Sequence, residues 1–454
     1  LLLFFIIFLG YGLVAIFRPA YALPVYFITF FAHPAWWWWG RLAGPGIVYA
    51  RWSFYGGMCL LVSLVIAGGI PYVEKIKMHK RILFFLALTV INAIFVNYTL
   101  APLAPMPGSA NKPFTLVMKF SLLFVLLVAA IRSKADFRVM MLTLCIGAGY
   151  WGYEVYVNDR GVMRAGRLEG LGGPGATDAN HMASVLVTML PICGGLIFAG
   201  KWPSKIIGGT VAVLLTNTIL LCNSRGAFLS VILSACVLVT TARGKLRKKA
   251  FIGVALGGLC GYMLMGDPEI WQRFMSTFVG SEDRDQSANS RIEFWTAGMN
   301  MLKDWPFGAG GDGFKRAGGD YMSKAQIGSG RSVHNGYINE MCEWGYQGFL
   351  LRTALVITCC WACYKTMDYQ RQPGGDENMA FFGSCTLAAT AGFLGTCMFG
   401  DYYDNEWGYW VLAMCYAYAR NYGPPPPRRQ SWTETLMERN AKAKLDAGYL
   451  EQEV

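Results

Sequence analysis

Charge is what this sequence lacks. Of its 454 residues only 15% are Asp, Glu, Lys or Arg, against about 25% in a typical soluble protein. Histidine is scarcer still, with 4 in the chain, so acid–base chemistry near neutral pH has few places to reside. No basic stripe is interleaved with a stacking platform, which excludes a nucleic-acid reader. The 13 cysteines lie mostly inside apolar runs, as at Cys59, Cys145, Cys193, Cys236 and Cys260, where a thiol behaves as a small hydrophobe. Cys360 and Cys363 form a CxxC, but it lacks the second ligand pair of a zinc site and lies in the apolar run VITCCWACY, which speaks against a redox site. Disorder, a collagen repeat and a secreted disulfide scaffold are all excluded by this composition.

What fills the space is apolar. Hydrophobic residues make up 54% of the chain and aromatics 15%, with a mean hydropathy of +0.35. Runs such as LLLFFIIFLGYGLVAIF (1–17), RILFFLALTVINAIFV (81–96) and FTLVMKFSLLFVLLVAAI (114–131) approach the roughly 20 residues that cross a bilayer. Reading them against turn signals predicts an all-α, polytopic membrane protein of about 12 transmembrane helices. The spans fall near 1–17, 20–33, 51–72, 82–99, 114–131, 139–157, 181–199, 205–222, 226–242, 251–266, 346–364, 379–399 and 407–420, with one of the first two expected to be partial or interfacial. Membrane lipids are therefore partners.

The net charge of +12 has an orientation in it. Lys75, Lys77, Lys80 and Arg81, then Arg132, Lys134 and Arg138, then Lys201 and Lys205, then Arg243, Lys245 and Arg247 to Lys249, sit between successive spans. Basic loops stay cytoplasmic, which places 101–113, 158–180, the corner at 223–226, 267–345 and 400–406 on the opposite face. The domain reading follows: 1–266 an N-terminal transmembrane bundle, 267–345 a catalytic loop on the far face holding short helices, 346–420 the last transmembrane helices and 421–454 a cytoplasmic tail. Trp36 to Trp39 read as an anchor at headgroup level, the rival reading being a cage for stacking substrate.

Three places combine ionisable residues with a membrane edge. In LLCNSRGAFLS (220–230), Arg225 falls between two apolar helices with almost no loop, where an arginine marks a functional site unless it merely snorkels. Ser290 and Glu293 have capping-box spacing and set Arg291 in a first helical turn, either facing an anion or solvated. In VHNGY (333–337), His334 is the histidine poised for acid–base work, its alternative being a structural role. Lys324 and Arg331 flank its approach, holding phosphate or acceptor or else solvated, and Arg316 is a further candidate. Asp178 and Asn180 read as caps of the helix beginning at His181, with a donor contact as the alternative. Asp401, Asp404 and Glu406 would orient His334 or bind acceptor sugars. GAGGDG (308–313) does not sit between a strand and a helix, so it is no nucleotide loop.

Taken in order, NSRGAFLS (223–230), SRIEFWTAG (290–298), WPFGAGGDGF (305–314) and VHNGYINEMCEWGYQGFLL (333–351) resemble the O-antigen ligase and O-antigen polymerase superfamily, and GATDANHMASVL (175–186) is similar to its Asp-x-Asn element. The N-terminal third, with HPAWWWWGRLAGPG, resembles the exosortase-associated O-glycosylation ligases found with exopolysaccharide loci. The resemblance implies a GT-C-like, metal-independent glycosyltransferase without a cofactor, in the bacterial inner membrane and facing the periplasm. It would use an undecaprenyl-diphosphate-linked glycan donor, with a lipid, glycan or protein acceptor. Its catalytic residues would be His334, Arg225 and Arg291, and its substrate-binding residues Arg331, Lys324, Asn335, Asp178 and Asn180. A ligase of lipopolysaccharide biosynthesis, a polymerase and a protein O-oligosaccharyltransferase all remain open. A transporter or flippase of lipid-linked sugars is the rival of another class, and it predicts repeated halves that the sequence does not display.

Overall fold

The computed structural model describes residues 1–42, 44–48, 50–68, 77–100, 111–173, 175–176, 178–264, 286–323 and 332–424. The described residues form helices α1 (Leu2–Ala15), α2 (Ala22–Phe31), α3 (Trp38–Arg41), α4 (Pro45–Val48), α5 (Trp52–Ile66), α6 (Lys77–Phe95), α7 (Asn111–Ala130) and α8 (Lys134–Tyr156). A two-stranded hairpin follows, β1 (Val162–Arg164) and β2 (Arg167–Glu169), then α9 (Ala179–Ala199), α10 (Trp202–Cys222), α11 (Arg225–Thr241) and α12 (Gly244–Leu264). The last five are α13 (Gln286–Asp304), α14 (Gly313–Ala317), α15 (Gly336–Gln370), α16 (Glu377–Cys397) and α17 (Glu406–Tyr422).

The architecture is all-α and polytopic, and among the described residues every apolar run read from the sequence is mainly helical. Six described helices, within α6, α7, α9, α10, α15 and α16, are long and apolar enough to cross a membrane, while α1, α5, α11 and the segment Pro19–Phe31 are shorter apolar helices. Burial sorts them. α16 is 89% buried over its most apolar window and stands at the centre against α9, α11, α15 and α17; α6 is 28% buried and turns most of its apolar surface outward, to lipid.

Short polar side chains start the helices, as capping chemistry requires. Ser133 accepts from the Asp136 amide, Asp178 from His181, Ser224 from Ala227, Asn335 from Tyr337 and Ile338, and Asp376 from Asn378 and Met379. The bundle thereby acquires two chemically distinct ends. At one end, Arg18 pairs with Asp136 at 2.6 Å, Arg132 donates to the Ala67 carbonyl at 3.1 Å, Arg420 donates to the Ile131 carbonyl and Arg371 to that of Thr241. Lys201, Arg243, Lys245 and Lys248 belong to the turns and helix starts on this same side. The other end gathers the starts of α9, α11, α15 and α17.

Two local expectations change, and one short element is added. α13 begins at Gln286, so Ser290 is inside the helix rather than capping it, and Glu293 instead accepts from Ser323 Oγ and, at 3.1 Å, from its amide. The glycine-rich stretch holds the short α14. The Trp36–Trp39 segment is only half surface: Trp37 is buried with its indole donating to the Phe31 carbonyl at 3.0 Å, and Trp39 donates to Tyr150 Oη at 2.8 Å.

Candidate functional site

His334 stands in the left-handed region, φ +56°, on an exposed loop between the buried Val333 and the start of α15. A non-glycine residue there costs about 1–2 kcal/mol, and the surroundings hold it in place. Asp401, in the turn between α16 and α17, receives Ser332 Oγ on one oxygen and the Asn335 amide on the other at 3.0 Å. The His334 amide lies 3.4 Å from Ser332 Oγ, and its ring centroid is 6.2 Å from that of Phe294 on α13. Asn335 spends its side-chain oxygen capping α15, on the Tyr337 amide at 3.0 Å and the Ile338 amide at 3.2 Å. Burial pushes the Asp401 carboxyl up to about 7, the Asp404 charge adds to the rise, and the amides of Asn335 and His334 oppose it.

The opposite wall is built from α9 and α11. Ser224 Oγ donates to Asn180 Oδ1 at 2.8 Å while Arg167 of β2 donates to the same oxygen at 2.5 Å, so the corner carrying Arg225, the hairpin and the start of α9 are locked together. The hairpin turn Ala165-Gly166 has positive φ at both residues, 48° and 67°, the geometry of a tight two-residue connection. Gly226 sits so close to Phe399 that a Cβ there would lie 2.7 Å from its ring. The residues on either side of Arg225 are therefore tied to Asn180 and to the turn between α16 and α17.

Tyr402 joins the two walls. The His181 ring stacks on it with centroids 5.2 Å apart and planes 16° apart, and tilts against Trp407 at 4.9 Å. His181 also faces Asp178 at 3.8 Å and Asn405 at 3.5 Å. Burial raises the Tyr402 phenol well above its ordinary range; the charges of Asp178 and Asp401 raise it further and that of Arg291 lowers it. Asp178, Arg291 and Asp401 therefore all act on one side chain.

Beneath the turn lies a buried ionic network that sequence reading missed. Arg352 Nη1 pairs with Glu340 at 3.1 Å and reaches the Tyr403 carbonyl at 3.3 Å, while Nη2 donates to Tyr409 Oη at 2.7 Å. Gly336 packs against Tyr403, leaving 2.9 Å between a would-be Cβ and its amide nitrogen. The glycine-rich loop joins from the side. Ala309 and Gly310 donate to the carbonyls of Cys342 and Glu343, each at 2.9 Å, Tyr346 donates to Pro306 at 3.1 Å, and α15 breaks at Gly345, φ +77°. The loop thus supplies donors and an acceptor where the kink interrupts the helix ladder.

Residues 210–352 match the family model described as O-Antigen ligase. Over this segment the chain is similar to O-antigen ligases. The segment carries Arg225, Arg291 and His334, whereas Asp178, Asn180, Asp401 and Tyr402 lie outside it, so elements beyond the ligase segment complete the cluster. No curated protein matches the chain. Of the residues expected at the site, Lys324 and Arg331 lie outside the described residues, as do Lys75 and the tail from 425 onward. Asp178 caps α9 as expected, while Asn180 is inside the helix and bonds to Ser224 and Arg167. Among the described residues, no group of three or more His, Cys, Asp and Glu side chains has the geometry to hold a metal ion. Tyr402 carried no signal in the sequence beyond its place in GDYYDNEW, and Arg352 none beyond being a charge inside an apolar run.

Proposed function

We propose that this multi-pass membrane protein is a glycosyltransferase that moves a glycan from an undecaprenyl-diphosphate-linked donor to an acceptor hydroxyl on the periplasmic face of the bacterial inner membrane. The observation that carries the reading is the gathering of four helix N-termini, Arg225, Arg291 and the Asp401-held His334 loop at one end of the bundle. Helix N-termini and guanidinium forks favour anions, and a diphosphate leaving group gains negative charge as the glycosidic bond breaks. Arg225 and Arg291 stabilise those oxygens bidentately in a partly dry site.

His334, as a neutral imidazole, accepts the proton of the acceptor hydroxyl while that oxygen forms its bond to the anomeric carbon. The carbon–oxygen bond to the diphosphate breaks on the opposite side, so the anomeric configuration inverts. No metal or cofactor enters this scheme. Sidedness is supported by the two ends of the bundle, since the lysine- and arginine-rich end is the one that stays cytoplasmic.

The decisive experiment incubates purified protein with an undecaprenyl-diphosphate glycan and three acceptors, a lipid A core, a second glycan repeat and a hydroxyl-bearing peptide, with and without chelator. Transfer to one acceptor that persists with chelator and is lost in His334→Ala is expected. Normal transfer by His334→Ala would sink the proposal. Movement of the donor across proteoliposomes without any transfer would replace it with a flippase.

A further inference from the structure

The aromatic segment after α2 presents a second surface at the same end of the molecule, outside the ligase segment. Trp37 and Trp39 anchor it inward, and Trp151 donates to the same Phe31 carbonyl as Trp37, at 2.8 Å. Trp36 and Trp38 remain 42% and 44% exposed. The Trp38 indole N–H already points to Glu154, at 3.4 Å, and the buried Glu154 carboxylate also receives Asn158 Nδ2 at 3.0 Å. The Arg160 guanidinium lies over one face of the Trp38 ring, 5.0 Å from its centre, and the Arg160 amide donates to the Glu154 carbonyl at 3.0 Å.

The path from here to the candidate site is short in structure. Gly172 passes against Trp36, where a Cβ would come within 2.9 Å of its carbonyl oxygen; Gly175 lies between the Phe30 ring and His181, 3.6 and 3.7 Å from such an atom. Both adopt positive φ, 106° and 95°, a backbone region that favours glycine.

We infer that Trp38, with Glu154, Asn158 and Arg160, forms a saccharide-binding subsite for the part of the glycan chain remote from the transferred bond. One face of a pyranose is a layer of C–H bonds edged by hydroxyls. The C–H layer matches the electron-rich face of an indole. The rim hydroxyls, each donor and acceptor, match a carboxylate, an amide and a guanidinium together. A tryptophan serving only as a membrane anchor needs one polar partner for its N–H; three side chains of different charge around one ring exceed that requirement. The inference rests on the glycan-transfer reading, yet binding is measurable apart from transfer.

The test uses the full-length protein in detergent micelles with tetrasaccharides of glucose, mannose, galactose and N-acetylglucosamine, followed by saturation-transfer NMR. At least one is expected to bind, with Trp38→Ala weakening it about tenfold and Trp38→Phe about threefold or less, the scale of one stacking contact. His334→Ala should bind as wild type does. Retained transfer in His334→Ala, with Trp38-dependent binding intact, would remove the transfer reading and leave the subsite standing. Absence of binding by all four sugars, equal binding by Trp38→Ala, or loss of binding in His334→Ala overturns the subsite. Should Trp38→Ala melt earlier than wild type, Arg160→Ala, on an exposed side chain, is judged by the same comparison.

Discussion

Asp401 grips the His334 loop on both sides, through Ser332 and through the Asn335 amide. Its carboxyl titrates at about 7 in the folded protein, up from 3.8, so the folded state binds that proton more tightly than the unfolded chain. The resulting stability is complete below about pH 4 and is lost as pH rises through about 7. For a half-buried group the loss is expected to be on the order of 1 kcal/mol. Asp401→Asn keeps an acceptor and removes the titration, so its melting temperature should vary less than that of the wild type between pH 4 and 8. Parallel melting curves for the two proteins across that range would show that the group does not titrate as described. The same substitution should leave the αL turn at His334 less firmly held, which transfer assays at pH 8 would read as a lower kcat with little change in KM.

At the scale of elements, the broken helix α15 and the glycine-rich loop depend on each other. Gly345 has φ +77°, and a Cβ there would stand 2.5 Å from the Phe307 carbonyl oxygen; at Gly308, φ +90°, one would stand 2.6 Å from the Glu343 oxygen. Either glycine changed to Ala adds left-handed strain of about 1–2 kcal/mol to an overlap with backbone that cannot move aside. Both variants are expected to melt several degrees lower, whereas Gly209→Ala, in α10 with nothing within 4 Å of the new carbon, should not. Equal melting temperatures for all three would refute the coupling. Arg352 gives a companion case: Arg352→Met strands Glu340 without its cation, a change that costs about 3–5 kcal/mol when a buried pair is broken, and its folded yield should fall well below that of the wild type.

These elements also mark where sequence reading ends. Helices α7, α9 and α16 were legible because long apolar runs are bounded by Asp, Ser or basic residues. The hairpin was not, since Ala165-Gly166 lacks the Asn-Gly or Asp-Gly signal of such turns. The capping-box spacing at Ser290 misled because α13 starts a full turn earlier. Tyr402 and Arg352 acquire their roles only from chain segments far away in sequence, such as Asp178 and Tyr409, and no local pattern encodes such a meeting. His334, Arg225 and Arg291 stood out for the opposite reason: ionisable side chains are rare in so apolar a chain.

For the whole molecule, the two ends make a prediction about orientation. The described helices alternate between them: α8 rises from Lys134 to the hairpin, α9 returns to Lys201, α10 rises to the Arg225 corner and α11 returns to Arg243. Alternation of this kind allows a single sidedness for all the loops, because one inverted helix would carry a basic cluster across the bilayer. Cysteine placed at Asp159, in the turn before the hairpin, and at Lys248, near the start of α12, should therefore react with a membrane-impermeant maleimide from opposite sides. In intact cells Asp159→Cys should label and Lys248→Cys should not, and after the cells are opened both should. Among the described residues the native thiols are mostly buried, so background labelling is expected to be low. Labelling of Lys248→Cys in intact cells, with Asp159→Cys protected, would invert the orientation and move the candidate site to the cytoplasm. A donor glycan already carried to the outer leaflet would then be out of reach.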